Sequence, residues 1–218
     1  MHKQITLVFA TLALSTIAFA QQDGTFQIGY AANLNIGDSV VNISNDGAFG
    51  GFYPNPGGVG NTCANVYAFD SSEEMVACCA CLVTPNALVS LSAKNDLINN
   101  VLTPAIPTSI VIKIVGSEPG TSGTAAVPVF NLCNPITVGG PTSGLSTSLL
   151  AWGVTLEPSQ TAGTYGPVNV PFINASFSRA IPDEFSALES VCQFVQTEGT
   201  GFGVCKSCAL GALSGTKQ

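Results

Sequence analysis

Eight cysteines constrain this 218-residue chain more than any other feature of its sequence. They form two tight clusters and three single positions, at Cys63, Cys78, Cys79, Cys81, Cys133, Cys192, Cys205 and Cys208. An even number of cysteines in an exported chain is typical of a disulfide framework, whose connectivity the sequence alone does not determine. We therefore expect all eight to be oxidised, and we expect no bound metal or other cofactor.

The N-terminus predicts export. Lys3 precedes an apolar run from Ile5 to Phe19, and Ala18-Phe19-Ala20 has the small-x-small pattern of a cleavage site. The run is shorter than the roughly 20 residues of a spanning helix. Residues 1–20 are therefore predicted to be a signal peptide, and residues 21–218 a single secreted domain without a transmembrane anchor. The predicted location is extracellular or at the cell surface, and the periplasm remains an alternative.

Charge is scarce in this chain and its balance is acidic. Charged residues make up 9% of the sequence, with 13 acidic and six basic side chains, whereas hydrophobic residues make up 46%. A chain with so few cations has no electrostatic footprint for nucleic acid or anionic lipid. The apolar share is sufficient to build a core, so the sequence predicts a folded protein that does not bind nucleic acid.

Short runs of Val, Ile, Thr and Phe between Gly, Pro, Asn and Asp predict a mainly β fold. The economical architecture is a disulfide-stapled β-sandwich-like domain with one or two short helices. Gly116–Thr124 is predicted to be a flexible turn. The predicted strands are Phe26–Ile36, Ser39–Ile43, Asn65–Phe69, Met75–Val83, Leu88–Leu91, Thr108–Val115, Val127–Leu132, Leu149–Leu156 and Pro167–Phe177, the last an edge strand because of its prolines.

Two segments predict helices. Ser92–Leu102 begins with a capping serine and is followed by prolines. Asp183–Glu198 is the clearer helix, because Pro182 precedes it and acidic residues occupy its first turn. Its inward face is predicted to consist of Phe185, Leu188, Cys192 and Val195.

The cysteine clusters also suggest a zinc alternative. Two Cys-x-x-Cys pairs, Cys78 with Cys81 and Cys205 with Cys208, could form a tetrahedral thiolate site. An oxidising compartment favours disulfides instead, and a redox-catalytic site lacks its usual βαβ context. If Met75–Val83 is a strand, Cys79 and Cys81 face one side and Cys78 the other, so the two faces should be bonded to different partners.

Catalytic motifs are nearly absent from the sequence. The only histidine is His2, inside the predicted signal peptide, which argues against Ser-His-Asp, Cys-His and His-ligated metal chemistry in the mature chain. A nucleophile elbow and a phosphate loop are also missing. The protein is therefore predicted not to be an enzyme. The remaining alternative is paired-carboxylate catalysis by Asp70, Glu73 and Glu74 or by Asp183 and Glu184, which are better explained as turn and helix-cap residues.

Aromatic residues in the N-terminal third suggest a polysaccharide-binding alternative. Phe26, Tyr30, Phe49, Phe52 and Tyr53 could stack on sugars, although such residues more often cover a sheet face. Two Asn-x-Ser patterns, Asn42-Ile-Ser44 and Asn174-Ala-Ser176, match the glycosylation acceptor. Numerous asparagines could supply calcium ligands, but their spacing fits turns better.

The cysteine motifs carry a resemblance that covers most of the mature chain. Asn65-Val-Tyr-Ala-Phe-Asp70, Glu74-Met-Val-Ala-Cys-Cys-Ala-Cys81, Thr84-Pro-Asn86 and Gly201-Phe-Gly-Val-Cys-Lys-Ser-Cys208 resemble a group of uncharacterised secreted proteins of soil bacteria. The resemblance implies export and a cysteine-based architecture. It implies no activity and transfers no site residue.

The leading functional hypothesis is a secreted structural or surface protein that self-associates as a homo-oligomer or homopolymer. Uncharged, β-rich segments leave edges that a monomer would normally protect with charge. Phe26–Ile36 is uncharged and could complete a neighbouring subunit's sheet by strand addition, giving a filament. The alternative, that this strand pairs within its own domain, is slightly favoured by the sequence.

Overall fold

The computed structural model describes residues 24–47, 60–98, 106–124, 127–138, 144–176, 183–197 and 205–208. Two antiparallel sheets and one α-helix dominate these ranges, which confirms the predicted mainly β class. The strands are β1 (Phe26–Ala31), β2 (Val40–Asn45), β3 (Thr62–Phe69), β4 (Met75–Val83), β5 (Leu88–Ser92), β6 (Ile110–Ser117), β7 (Gly120–Thr124), β8 (Val127–Leu132), β9 (Leu149–Pro158), β10 (Tyr165–Pro171) and β11 (Ile173–Asn174), and the helix is α1 (Glu184–Val195).

The sheets pack as two layers and α1 adds a third. Sheet A has the strand order β11-β1-β6-β3-β4, sheet B has the order β10-β9-β2-β5, and β7 and β8 form a separate hairpin. Alternate side chains of both sheets, such as Val66, Ile112 and Ile43, form the main core. A second cluster on the other face of sheet A joins Phe26 and Tyr67 to α1. Sheet A is therefore covered on both faces along its central strands.

The first predicted strand is too long. Pairing of β1 ends at Ala31, and Asn33 adopts a left-handed conformation with φ of 54°. Asn33 then accepts the N–H of Ile36 at 2.9 Å, and the N–H of Leu34 donates to Thr108 at 2.9 Å. Asparagine tolerates this region better than most residues, so the chain turns here and crosses from sheet A to sheet B.

The predicted flexible turn at Gly116–Thr124 is wrong. Strand β6 continues to Ser117, and Gly120–Thr124 pairs with Val127–Leu132 as a hairpin. Gly116 lies within β6, and no larger residue fits there, because a Cβ would stand 2.5 Å from the backbone oxygen of Ser146. Its glycine permits a close backbone approach rather than a turn.

Within the described part of the predicted helix at Ser92–Leu102, the structure has one π-helical turn over Ala93–Leu97. Ser92 caps it as predicted, since its Oγ accepts the N–H of Asn95 at 3.0 Å. Residues 99–105 lie outside the described ranges. Leu97 and Ile98 are both buried, so this turn serves the core rather than forming an amphipathic helix.

Helix α1 confirms the predicted inward face. Leu188, Cys192 and Val195 are buried, and Phe185 packs partly against the same cluster. Asp183 begins the helix, because its Oδ1 accepts the N–H of Ser186 at 2.8 Å.

Replacing Leu188 by alanine is expected to lower the free energy of unfolding by about 2–3 kcal/mol, because the substitution opens a cavity beneath α1. The matched control is Phe194→Ala on the same helix, whose side chain is 62% exposed and should cost less than about 0.5 kcal/mol. Urea denaturation of both variants measures the difference. Equal losses would mean that this face of α1 does not pack on sheet A.

Candidate functional site

Four disulfides join separated parts of the chain. On β4, Cys78 bonds to Cys192 of α1, whereas Cys79 and Cys81 bond to Cys205 and Cys208. The fourth bond joins Cys63 of β3 to Cys133, which follows β8. The prediction that the two faces of this strand are bonded to different partners is therefore confirmed. One strand links the helix on one face of sheet A to the C-terminal cysteines on the other.

The zinc alternative inferred from the sequence had one member on the wrong face. Cys78 lies on the α1 side of β4, whereas Cys81, Cys205 and Cys208 have sulfur atoms that all lie within 4.8 Å of one another. Cys79 adjoins this group of three through its bond to Cys205. The sulfurs on this face of β4 therefore belong to Cys79, Cys81, Cys205 and Cys208.

A buried carboxylate beside this cluster was not identified from the sequence. Asp96 is fully buried, and its Oδ1 accepts the N–H of Ser207 at 2.7 Å. Its Oδ2 accepts the Ser207 hydroxyl at 2.7 Å and the N–H of Ser92 at 2.8 Å. Asp96 thereby fixes the 3-10 turn Lys206–Cys208 to the end of β5. Only the tertiary fold reveals this role, since Ser207 lies 111 positions away in the sequence.

The two lateral sides of the sandwich differ. Between β4 and β5 the side is closed by the π-helical turn, the C-terminal 3-10 turn and two disulfides. Between β1 and β10 the described residues leave a groove of about 460 Å³. The groove is lined by Ile28, Gly29, Tyr30, Val111, Val168, Asn169, Val170, Pro171 and Ile173, none of which is charged.

Four exposed apolar side chains lie together at this groove. Tyr30, Val111, Val168 and Ile173 are 43%, 44%, 45% and 71% exposed. A contiguous apolar patch of this kind on a folded protein marks an interaction surface more often than isolated exposed residues do. Its volume is also in the range of ligand-binding clefts. The groove is therefore the candidate binding site.

The two strand edges beside the groove differ in their capacity to pair with an added strand. Strand β11 pairs only with Gln27 and Ile28, so the last three residues of β1, Gly29–Ala31, have no neighbouring strand on that side within the described ranges. On the other wall, Pro167 and Pro171 of β10 are opposite Leu156 and Trp152 of β9. Proline has no backbone N–H, so β10 is a poor edge for strand addition. The β1 edge is the one available for pairing.

Strand β1 is integrated into its own domain. It pairs with β6 over all six residues from Phe26 to Ala31. The buried side chain of Gln27 joins the two sheets, because Nε2 donates to Leu149 at 2.6 Å and Oε1 accepts the N–H of Ala151 at 3.1 Å. Of the two interpretations of this segment, pairing within its own chain is the arrangement observed.

Three of the five candidate carboxylates, Asp70, Asp183 and Glu184, have structural partners. Asp70 Oδ1 accepts the N–H groups of Ser72 and Glu74 at 2.8 and 3.0 Å, which closes the β3–β4 turn. Glu184 forms a salt bridge of 2.5 Å with Lys113. These contacts explain the two acidic clusters as a turn and a helix start.

Two electrostatic effects accompany α1. The N–H of Ser186 donates to Asp183 and holds the pKa of that carboxyl below its ordinary value. A lowered folded-state pKa means that the cap stabilises the fold at neutral pH and loses this effect as the pH falls through that pKa.

Burial raises the pKa of Tyr67, and the charge of Glu189 adds to the shift. Tyr67 therefore remains a neutral phenol, which donates to Pro135 at 2.7 Å.

The predicted aromatic cluster does not share one exposed face. Phe26 is buried beneath α1, whereas Tyr30 lies at the groove, and Phe49, Phe52 and Tyr53 lie outside the described ranges.

Different residues form the uncharged outer face of sheet B. There Ser90, Asn42, Trp152 and Pro171 form one cross-strand row.

Comparisons with protein-family models, curated proteins and solved structures found no match to this chain. Among the described residues, no helix is sufficiently long and apolar to cross a membrane.

Proposed function

We propose that this protein is an exported structural or surface protein whose copies associate through the open apolar groove. This proposal rests on one observation: exposed, uncharged side chains line a cleft beside Gly29–Ala31 of β1. Among the described residues, this stretch pairs with β6 on one side and has no neighbouring strand on the other. An extended segment of a second copy would gain backbone hydrogen bonds from Gly29–Ala31 and apolar burial from the groove walls. Strand β1 therefore acts as the acceptor in strand addition and remains paired with its own β6.

Two further features support a structural role. Four disulfides constrain the unfolded chain and suit an oxidising environment outside the cell. Three of the carboxylates considered for catalysis, Asp70, Asp183 and Glu184, are occupied in a turn, a helix cap and a salt bridge. The polar groups of these sites thus maintain the fold.

Val168→Lys is expected to weaken self-association of the mature protein at least about tenfold, because it places an ammonium group in the apolar contact. The matched control is Leu88→Lys, which replaces a half-exposed apolar residue on the opposite lateral side of the sandwich. Sedimentation equilibrium over a range of concentrations measures both variants. A wild-type protein that is monomeric throughout, or equal effects of the two substitutions, would refute the proposal.

A second candidate function is binding of a neutral polysaccharide on the outer face of sheet B. Ser90 Oγ donates to Asn42 Oδ1 at 2.7 Å, and Asn42 is directly opposite Trp152. An indole beside an oriented amide offers both a stacking surface and hydrogen-bonding groups for a sugar ring. The outward residues of the four strands in this face are uncharged, which suits a neutral ligand.

Binding of the oxidised protein to insoluble cellulose tests this second candidate. Trp152→Ala should abolish retention, whereas Phe194→Ala, which removes an exposed aromatic ring from α1, should leave it unchanged. Retention that is absent in the wild type, or lost equally in both variants, argues against a sugar site on sheet B.

A further inference from the structure

We infer that Cys79, Cys81, Cys205 and Cys208, in their thiol form, constitute a tetrathiolate site for Zn²⁺. The oxidised protein holds the same four sulfurs in two adjacent disulfides. The inference is independent of the proposed self-association, because the cluster lies on the closed side of the sandwich.

The geometry of the sulfurs carries this inference. The Sγ atoms of Cys81, Cys205 and Cys208 lie within 4.8 Å of one another, and Cys79 Sγ is bonded to that of Cys205. A tetrahedral site with Zn–S bonds of about 2.3 Å separates its sulfurs by about 3.8 Å. The bonded pairs must therefore open by less than about 2 Å, and the unbonded pairs among Cys81, Cys205 and Cys208 must close by about 1 Å at most. Cys79 Sγ lies outside that group and must move further, toward Cys81 and Cys208. Side-chain rotation supplies movements of this size.

The fold positions both halves of the site without the disulfides. Cys79 and Cys81 occupy alternate positions of β4, so both side chains face the same way. Cys205 and Cys208 flank a tight turn in which the N–H of Cys208 donates to the Cys205 carbonyl at 2.8 Å. Asp96 anchors this turn through Ser207, and that contact does not depend on the oxidation state of sulfur.

The chemistry of the surroundings also suits a soft dication. All four sulfurs are at least 96% buried, which excludes competing water. Four thiolates match the ligand set of structural zinc sites, and the Cys-x-x-Cys spacing of Cys205 and Cys208 recurs in them. The other two disulfides, Cys63–Cys133 and Cys78–Cys192, are each a separate pair on the other side of sheet A.

The oxidised form is converted into the zinc-bound form by a balanced reaction. Each disulfide reacts with one phosphine and one water to give two thiols and one phosphine oxide. The phosphine is oxidised, the S–S bond breaks, and water supplies the phosphine oxygen and the two thiol protons. Zn²⁺ then displaces the protons of the four thiols as it binds.

The test uses the mature full-length protein, reduced with a phosphine under non-denaturing conditions and mixed with one equivalent of Zn²⁺. Elemental analysis after gel filtration should find one zinc per chain, and Co²⁺ should give thiolate-to-metal charge-transfer absorption. The Cys79→Ser/Cys205→Ser variant should bind zinc at least about a hundredfold more weakly. The control Cys63→Ser/Cys133→Ser, which also lacks one disulfide, should bind as the wild type does.

Alkylation of the reduced wild type provides a readout that does not depend on how the variants fold. Zinc should protect Cys79, Cys81, Cys205 and Cys208 from a maleimide and leave the other four cysteines reactive. Absence of bound zinc, or protection spread evenly over all eight cysteines, would overturn the inference.

Discussion

Replacing Cys78 and Cys192 together by serine is expected to lower the free energy of unfolding by about 4 kcal/mol. The bond joins residues 114 positions apart, so its loss releases a large loop in the unfolded chain. Its sulfurs also lie within the cluster that packs α1 against sheet A. We therefore expect faster hydrogen exchange of the α1 amides in addition to a lower urea midpoint, with both measured under oxidising conditions.

The matched control removes the bond between Cys63 and Cys133, which closes a loop of 70 positions. The chain-entropy account predicts a similar loss of stability, because the cost depends only weakly on loop length. Exchange of the α1 amides should then change much less than in the first variant. Equal acceleration in both variants would show that the helix is not held locally by Cys192.

Asp96→Ala is expected to cost about 3–5 kcal/mol of folding free energy. The fully buried carboxylate accepts three hydrogen bonds, two of them from Ser207, and truncation leaves those donors without partners in the interior. The C-terminal turn should detach from β5, and the two disulfides beside it should become accessible to reductant. Urea denaturation and the rate of disulfide reduction by a phosphine measure the two effects.

Two further substitutions serve as comparisons for the effect of Asp96→Ala. Glu74→Ala removes the same charge from an exposed turn and should change stability by less than about 0.5 kcal/mol. Asp96→Asn retains one acceptor oxygen but replaces the other by a donor, so its cost should lie between the two. An Asp96→Ala variant as stable as the wild type would mean that the carboxylate does not anchor the turn.

The alternation of side chains explains which parts of the fold were predictable. Met75–Val83 and Val127–Leu132 were predicted with the observed bounds, because β-branched and small apolar residues there are bounded by turn residues. The opposite orientations of Cys78 and Cys79 followed from the same period of two. Local patterns sufficed for these two strands.

The failures of prediction arose where distant residues meet. Gly116 suggested a turn, but the absence of a side chain at this position makes room for the backbone of Ser146, thirty positions away. Asp96 had no local motif, because its partners come from β5 and from the C-terminal turn. The groove likewise requires β1 and β10 to lie on the same side of the sandwich, which no spacing in the sequence specifies.

Disulfide mapping of the non-reduced mature protein tests the architecture most directly. Cleavage after Glu198 and after Lys206 separates Cys192, Cys205 and Cys208 from one another, and fragmentation within the β4 peptide can distinguish Cys78, Cys79 and Cys81. The account predicts bonds from Cys78 to Cys192, from Cys79 to Cys205 and from Cys81 to Cys208. A bond from Cys79 to Cys192, or from Cys78 to Cys205, would place α1 and the C-terminal turn on the wrong faces of sheet A and contradict it.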